Sequence, residues 1–130
     1  MHLVCYARKV PTVNTPSPFE LADRYVDESA EHDPAHATSL GIAGFDHAWG
    51  QAFGLEGHAA RMDLVRRYRA AFAAHAAHPA PKQKLAARVM LGSLDEELAA
   101  DAAGEQFRDL AHMVSSFQRV GSTFDLMKKH

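Results

Sequence analysis

Lys82-Gln-Lys-Leu-Ala-Ala-Arg-Val-Met-Leu-Gly-Ser-Leu-Asp-Glu-Glu-Leu-Ala-Ala-Asp-Ala-Ala103 is the stretch on which the fold turns. Its leucines, alanines and paired charges favour helix, and Gly104 follows as a C-terminal stop. At 100° per residue, Met90, Leu91, Leu94 and Leu98 fall on one face, while Leu85 and Val89 fall nearly opposite. A helix that is apolar on two sides wants neighbours on both. Four short helices supply that poorly, so this segment is expected to present apolar surface that the chain alone does not cover.

The segment before it repeats the helical period. Met62, Val65, Tyr68, Phe72 and Ala76 share a face from about Leu55 to Ala77, with Arg66 and Arg67 at or beyond its edge. His78-Pro79-Ala-Pro81 then stops it. Further upstream, Ser17-Pro18-Phe19-Glu20 combines an N-cap serine, a first-position proline and an N3 glutamate, the elements of a capping box. A helix is expected from Pro18 to about His32, with Phe19, Ala22, Val26 and Ala30 at helical spacing. Asp33-Pro34 repeats the cap-plus-proline device and opens a short helix to about Leu40, which Gly41 and Gly44 end. Residues 42–53 keep neither period and read as a loop whose Phe45, Trp49 and Phe53 tuck against the helices. Downstream, Phe107, Leu110, Ala111, Val114 and Phe117 form a further helical stripe; Gly121-Ser122 interrupts it before a last turn, Thr123 to Met127. Residues 1–16, broken by Pro11, Asn14 and Pro16, read as an unstructured N-terminal extension. The expected architecture is all-α: antiparallel helical hairpins or a bundle of about four to five helices over 17–130, with a long irregular loop and no sheet.

Composition narrows the function classes. Of 130 residues, 47% are apolar, but about two dozen are alanines and aromatics make up only 8%. Alanine buries little area, so the core is expected to be thin. A formal charge of −2 gives no electrostatic reason to expect nucleic acid or an anionic membrane. The single cysteine, Cys5, excludes an internal disulfide, and no apolar run approaches the ~20 residues of a membrane span. The N-terminal Met1 to Ala7 is too short for a signal-peptide core, and a cytoplasmic location is the default expectation.

Nine histidines raise the question of a metal. His32 and His36 have the four-residue spacing of paired ligands on one helical face, but Pro34 between them breaks that geometry. They read as surface histidines at a helix junction. His75 and His78 read as complements to a helix C-terminus, and His58 and Arg69 as residues that pair locally or meet a carboxylate of another domain. Asp95, Glu96 and Glu97 are adjacent, so they splay around a helix and read as a solvated face. Cys5 has no nearby base for nucleophilic work, and Gly41-Ile-Ala-Gly44 lacks the rest of a phosphate loop. The residues therefore assign no catalytic, cofactor-binding or metal-ligating position. A small metal-binding protein using His32, His36, His75 and His78 is the weakest of the readings.

Several stretches together resemble a known family. Ser17-Pro-Phe-Glu-Leu-Ala-Asp-Arg-Tyr-Val-Asp27, Asp33-Pro34 leading into Ala37-Thr-Ser-Leu-Gly-Ile-Ala-Gly44, Glu56-Gly-His-Ala-Ala-Arg61, Glu105-Gln-Phe-Arg-Asp-Leu110 and Phe124-Asp-Leu-Met127 resemble, in order and spacing, the N-terminal region of the bacterial domain-of-unknown-function family 885. The resemblance covers roughly residues 16 to 127, and the alanine-rich style is similar to that of high-GC actinobacterial proteins. Family members are several times longer and resemble helical zinc metallopeptidases, with a His-Glu zinc motif far downstream of this region. The resemblance thus implies an all-α N-terminal layer beside a substrate cleft. It carries no zinc ligand or general base onto this chain, and zinc is expected only in full-length relatives. The chain departs from the family at residues 1–15, at Ser115-Ser116 where a proline is expected, and at Lys128-Lys129-His130, where the family continues into a long helical body.

Two functional expectations follow. The first is a truncated N-terminal region of a metallopeptidase-like protein, inactive alone, whose partner is the missing C-terminal body or, failing that, another copy of itself. The alternative is a free-standing helical protein-interaction module.

Overall fold

A computed structural model describes residues 15–50 and 54–105, together with positions 108, 118, 121, 122, 124 and 125. The fold is all-α, with no strand among the described residues. Its helices are α1 (Pro18–His32), α2 (Pro34–Ser39), α3 (Leu55–Ala73) and α4 (Pro81–Ala102).

Local chemistry explains where each begins. At α1 the Ser17 Oγ accepts from the Glu20 amide at 3.3 Å while a Glu20 carboxylate oxygen accepts from the Ser17 amide at 2.7 Å, which closes the expected capping box. Asp33 does two jobs. Its amide donates to the Ser29 carbonyl and ends α1, and its carboxylate accepts from the His36 amide at 3.0 Å and starts α2. The backbone at Asp33 (φ −129, ψ 75) leaves the helical region, as a residue before proline must, so α1 and α2 meet at a bend. The sharp chain reversal after α2 uses Gly41 at φ 75 and Gly44 at φ 97. At Gly50 (φ 68) the backbone lies so close to the Pro34 ring that an added Cβ would come within 2.5 Å of Pro34 Cδ.

The sequence expectation and the structure differ at the end of α3 and at Gly121-Ser122. The alanine-rich end of α3 continues to Ala73 rather than Ala77. Beyond it the chain tightens into three-residue turns, with the His75 amide donating to the Phe72 carbonyl at 2.9 Å and the His78 amide to the His75 carbonyl at 2.9 Å. Gly121 and Ser122, expected as an interruption, are themselves helical; a glycine in a helix costs only ~1 kcal/mol and does not forbid the conformation. Trp49 packs on a helical residue, but only at the surface. It is exposed and lies with its ring 5.2 Å from that of Phe124, whereas Phe45 is half-buried. The N-terminal extension over 1–14, Phe53, and most of the stripe from Phe107 to Phe117 lie outside the described residues.

The core sits between α1, α3 and α4. Met62, Leu64, Val65, Tyr68 and Phe72 of α3 meet Leu21 of α1 on one side and Ala87 and Leu94 of α4 on the other, with Tyr25, Met90, Leu91 and Leu98 packed at the margin. α3 is the central element because its buried residues span more than one stripe: Leu64 widens the Met62–Val65–Tyr68–Phe72 face enough to touch two neighbours. α4 behaves differently. Only Ala87 and Leu94 are fully buried along it, and Leu85 and Val89 remain 63% and 62% exposed. The two-sided helix is thus covered on one side.

Candidate functional site

Three arrangements could carry function: a polar ladder between α3 and α4, an open face of α4, and a cavity at the α1–α2 bend.

The ladder is built by helix periodicity on an antiparallel pair. Arg69 pairs with Asp95, Arg61 with Glu97 at 2.6 Å, and His58 with Asp101 at 2.8 Å, while Arg66 reaches the other Asp101 oxygen at 3.5 Å. Across the pairs from His58, Arg61 and Arg69 the residue number rises along α3 as it falls along α4, the order that antiparallel neighbours require, while Arg66 reaches back to Asp101. Asp95 and Glu96 are exposed, as a solvated face requires, while Glu97 is partly buried; Asp95 and Glu97 also pair with arginines of α3, and His58 and Arg69 meet partners within this chain rather than in another domain. Burial works against the charge of Arg61, but the Glu97 carboxylate overrides it and holds the guanidinium pKa above its ordinary value. These pairs are mostly half-exposed, so each contributes at most ~1 kcal/mol and chiefly sets the register of the hairpin. All the ladder side chains are committed to one another, which makes it a structural seam.

A second polar knot joins α1 to α3. The Tyr68 hydroxyl donates to Glu28 Oε1 at 2.7 Å and Arg67 donates to Glu28 Oε2 at 3.0 Å; the Tyr25 ring packs edge-on against Tyr68 at 5.2 Å. The hydrogen bonds from Tyr68 and then Arg67 hold the Glu28 carboxyl below its ordinary value. Burial, helped by the hydrogen bond to Glu28, pushes the Tyr68 hydroxyl up to about 12 from 10.0. The folded value is the higher one, so the stability Tyr68 contributes is complete below pH 10 and is lost as pH rises toward 12. The urea midpoint is expected to hold steady at neutral pH and to fall across that window by the equivalent of about 1–2 kcal/mol. Tyr68→Phe should flatten the fall; an unchanged alkaline limb in that variant would show that the loss comes from elsewhere.

The histidines do not converge. His32 and His36 flank the bend and border the same cavity as Leu64, whereas His75 and His78 follow the far end of α3. His75 is buried and its ring stacks on that of His78 at 6.0 Å; His78 Nδ1 accepts from the Ala80 amide at 3.1 Å. This pair organises the α3–α4 turn beyond the helix end instead of capping its last turn. No group of three or more His, Cys, Asp or Glu side chains that could hold a metal occurs among the described residues. Cys5 lies outside them.

The cavity was not legible in the sequence. It has a volume of about 180 Å³ and opens between α1, α2 and Leu64 of α3. Small residues create it: Ala30 and Ala37 are buried at the bend, and neither side chain reaches far enough to fill the angle between the helices. Ser29 is among its lining residues, with its hydroxyl oxygen buried beside Tyr25. Burial, and after it the charge of Glu97, pushes the nearby Tyr25 hydroxyl above its ordinary pKa.

The open face of α4 is the third feature. Leu85 and Val89 lie one turn apart on the side away from Leu94. No helix among the described residues is long and apolar enough to cross a membrane. Comparison with family models, curated proteins and solved structures gave no match.

Proposed function

We propose that this chain is a non-catalytic helical layer, the N-terminal region of a zinc-metallopeptidase-like protein, that packs through α4 onto a further polypeptide body. The observation that carries the proposal is the two-sided α4: Ala87 and Leu94 are buried against α3 while Leu85 and Val89 stand open at 63% and 62%. Covering those two side chains would contribute roughly 1–2 kcal/mol each. The order and spacing of the sequence stretches from Ser17 to Met127 support the choice of family. In this reading any zinc and its general base belong to the body, and the layer shapes the approach to it.

The test uses the 130-residue chain alone beside a Leu85→Lys/Val89→Lys double variant. Sedimentation and binding of a hydrophobic dye at micromolar protein should show self-association or dye uptake in the parent and a clear reduction of both in the variant. Helical circular dichroism should be unchanged between them. A parent that stays monomeric, melts sharply and ignores the dye would overturn the docking role. Stoichiometric zinc, or peptide hydrolysis by the purified chain, would overturn its non-catalytic character. The coding DNA beyond the His130 codon, read in all frames, should encode a helical body with a His-Glu zinc motif; a downstream region without one would remove the metallopeptidase assignment and favour a free-standing interaction module.

A further inference from the structure

The outer face of α4 carries more than two open apolar side chains. At ~100° per residue Leu85, Val89, Gly92, Glu96 and Ala99 fall within an arc of about 80°, opposite the buried Leu94, and all five are exposed. Their spacing alternates between four and three residues, as in the contact stripe of paired helices. Gly92 is the middle member. A β-carbon added there would meet no other atom within 4 Å, so its backbone is open to close approach. Charge is divided along the same helix: Lys82, Lys84 and Arg88 lie in its first half, and Asp95, Glu96, Glu97 and Asp101 in its second. Arg88 and Glu96 are exposed and have no ion-pair partner among the described residues.

A face with this pattern is complementary to itself when turned end for end. We infer that the open face of α4 pairs antiparallel with α4 of a second copy of this chain, about a two-fold axis at Gly92. The inference rests on α4 being a docking face and names what covers it when the chain is alone. Residues equally far from Gly92 on the two copies then lie level. Leu85 faces Ala99 of the second copy, a large side chain against a small one. The stem of Glu96 runs along Val89 of the second copy, and its carboxylate meets Arg88 there. Symmetry makes each of these contacts twice. A parallel pairing would instead set Arg88 against Arg88 and Glu96 against Glu96, which charge repulsion disfavours. One helix pair belongs to the small, transient class of interfaces, so the dissociation constant is expected at ~10–100 µM.

Sedimentation of the full chain from ~5 to ~500 µM tests this. The parent is expected to pass from monomer to dimer across that range, and to form nothing larger. Arg88→Glu and Glu96→Arg, each alone, turn both attractive pairs into repulsive ones and should weaken the dimer ~10-fold or more. An equimolar mixture of these two variants should associate as the parent does, because two opposite-charge pairs form again. Both positions are exposed, so helical circular dichroism should be unchanged. In a Cys5→Ser background, Gly92→Cys should cross-link under mild oxidation. Leu85→Cys should not, since its two copies lie ~20 Å apart along antiparallel helices. Cross-linking of Leu85→Cys as readily as Gly92→Cys would make the pairing parallel and overturn the inference. So would no cross-link at Gly92→Cys, or a ladder of larger aggregates. Association that ignores both charge reversals overturns it while leaving α4 a docking face for another occupant. A chain still monomeric at ~500 µM overturns it too, and dye uptake then decides separately whether α4 is an open docking face.

Discussion

Phe72→Ala is expected to lower the stability of this protein by ~3–5 kcal/mol, the largest loss available from a single side chain here. Phe72 is fully buried and is the bulkiest side chain to be so. It lies on the core face of α3, where that helix meets both α1 and α4, with its ring 6.4 Å from that of Tyr68. The rest of the core cluster is Leu21, Met62, Leu64, Val65, Tyr68, Ala87 and Leu94, on three different helices. A ring-sized void among them is not closed by any one side chain, so the loss carries a cavity cost on top of the lost burial. Domains of this length are stable by only ~5–15 kcal/mol, so the variant should show a urea midpoint reduced by a third or more, or no cooperative transition at all. A midpoint equal to that of the parent would mean that α3 is not the centre of the core.

Leu94→Ala and Leu85→Ala, two identical changes on one helix, should differ in outcome by several-fold. Leu94 is 1% exposed and belongs to the shared core, so its truncation is expected to cost ~2–4 kcal/mol. Leu85 is 63% exposed in the single chain, and alanine is the better helix former, so its truncation should leave the monomer within ~0.5 kcal/mol of the parent. Self-association should fall in the second variant and not in the first. Thermal melts at two protein concentrations separate the two effects, since a midpoint that depends on association rises with concentration. Equal losses from the two variants would show that both faces of α4 are buried within one molecule, and the docking role of that helix would go with them.

Much of the α4 argument could be read before any coordinates. Leu85 and Val89 fall opposite Met90, Leu91, Leu94 and Leu98 by angular spacing alone, and that separation is geometric. What spacing does not say is which face wins. Ala87 is fully buried although it contributes only a methyl group, because it lies on the Leu94 side, where α3 approaches. The ladder was equally hidden. Asp95, Glu96 and Glu97 look like a solvent face when α4 is considered alone, and only the antiparallel register against α3 turns Asp95 and Glu97 into partners of Arg69 and Arg61. The one signal in the sequence is coarse: basic residues from His58 to Arg69 and acidic residues from Asp95 to Asp101 fall in two successive helices joined by a proline-rich turn.

The sequence by itself determined the helices and most of their ends. The Ser17–Glu20 box, the Asp33-Pro34 hinge, the Pro81 start and the glycine stop at Gly104 (φ 69) act over three or four residues, so their hydrogen bonds are specified wherever the rest of the chain goes. The end of α3 at Ala73 escaped because alanine accepts both the helix and the tighter turn that follows. Tertiary structure alone decided which side of α4 was buried, which carboxylates were paired, and that a space lined by Ser29 remained at the bend. Each of these depends on the distance and angle between segments far apart in the chain, and those are set by the large side chains that meet in the core, not by the pattern along any one helix.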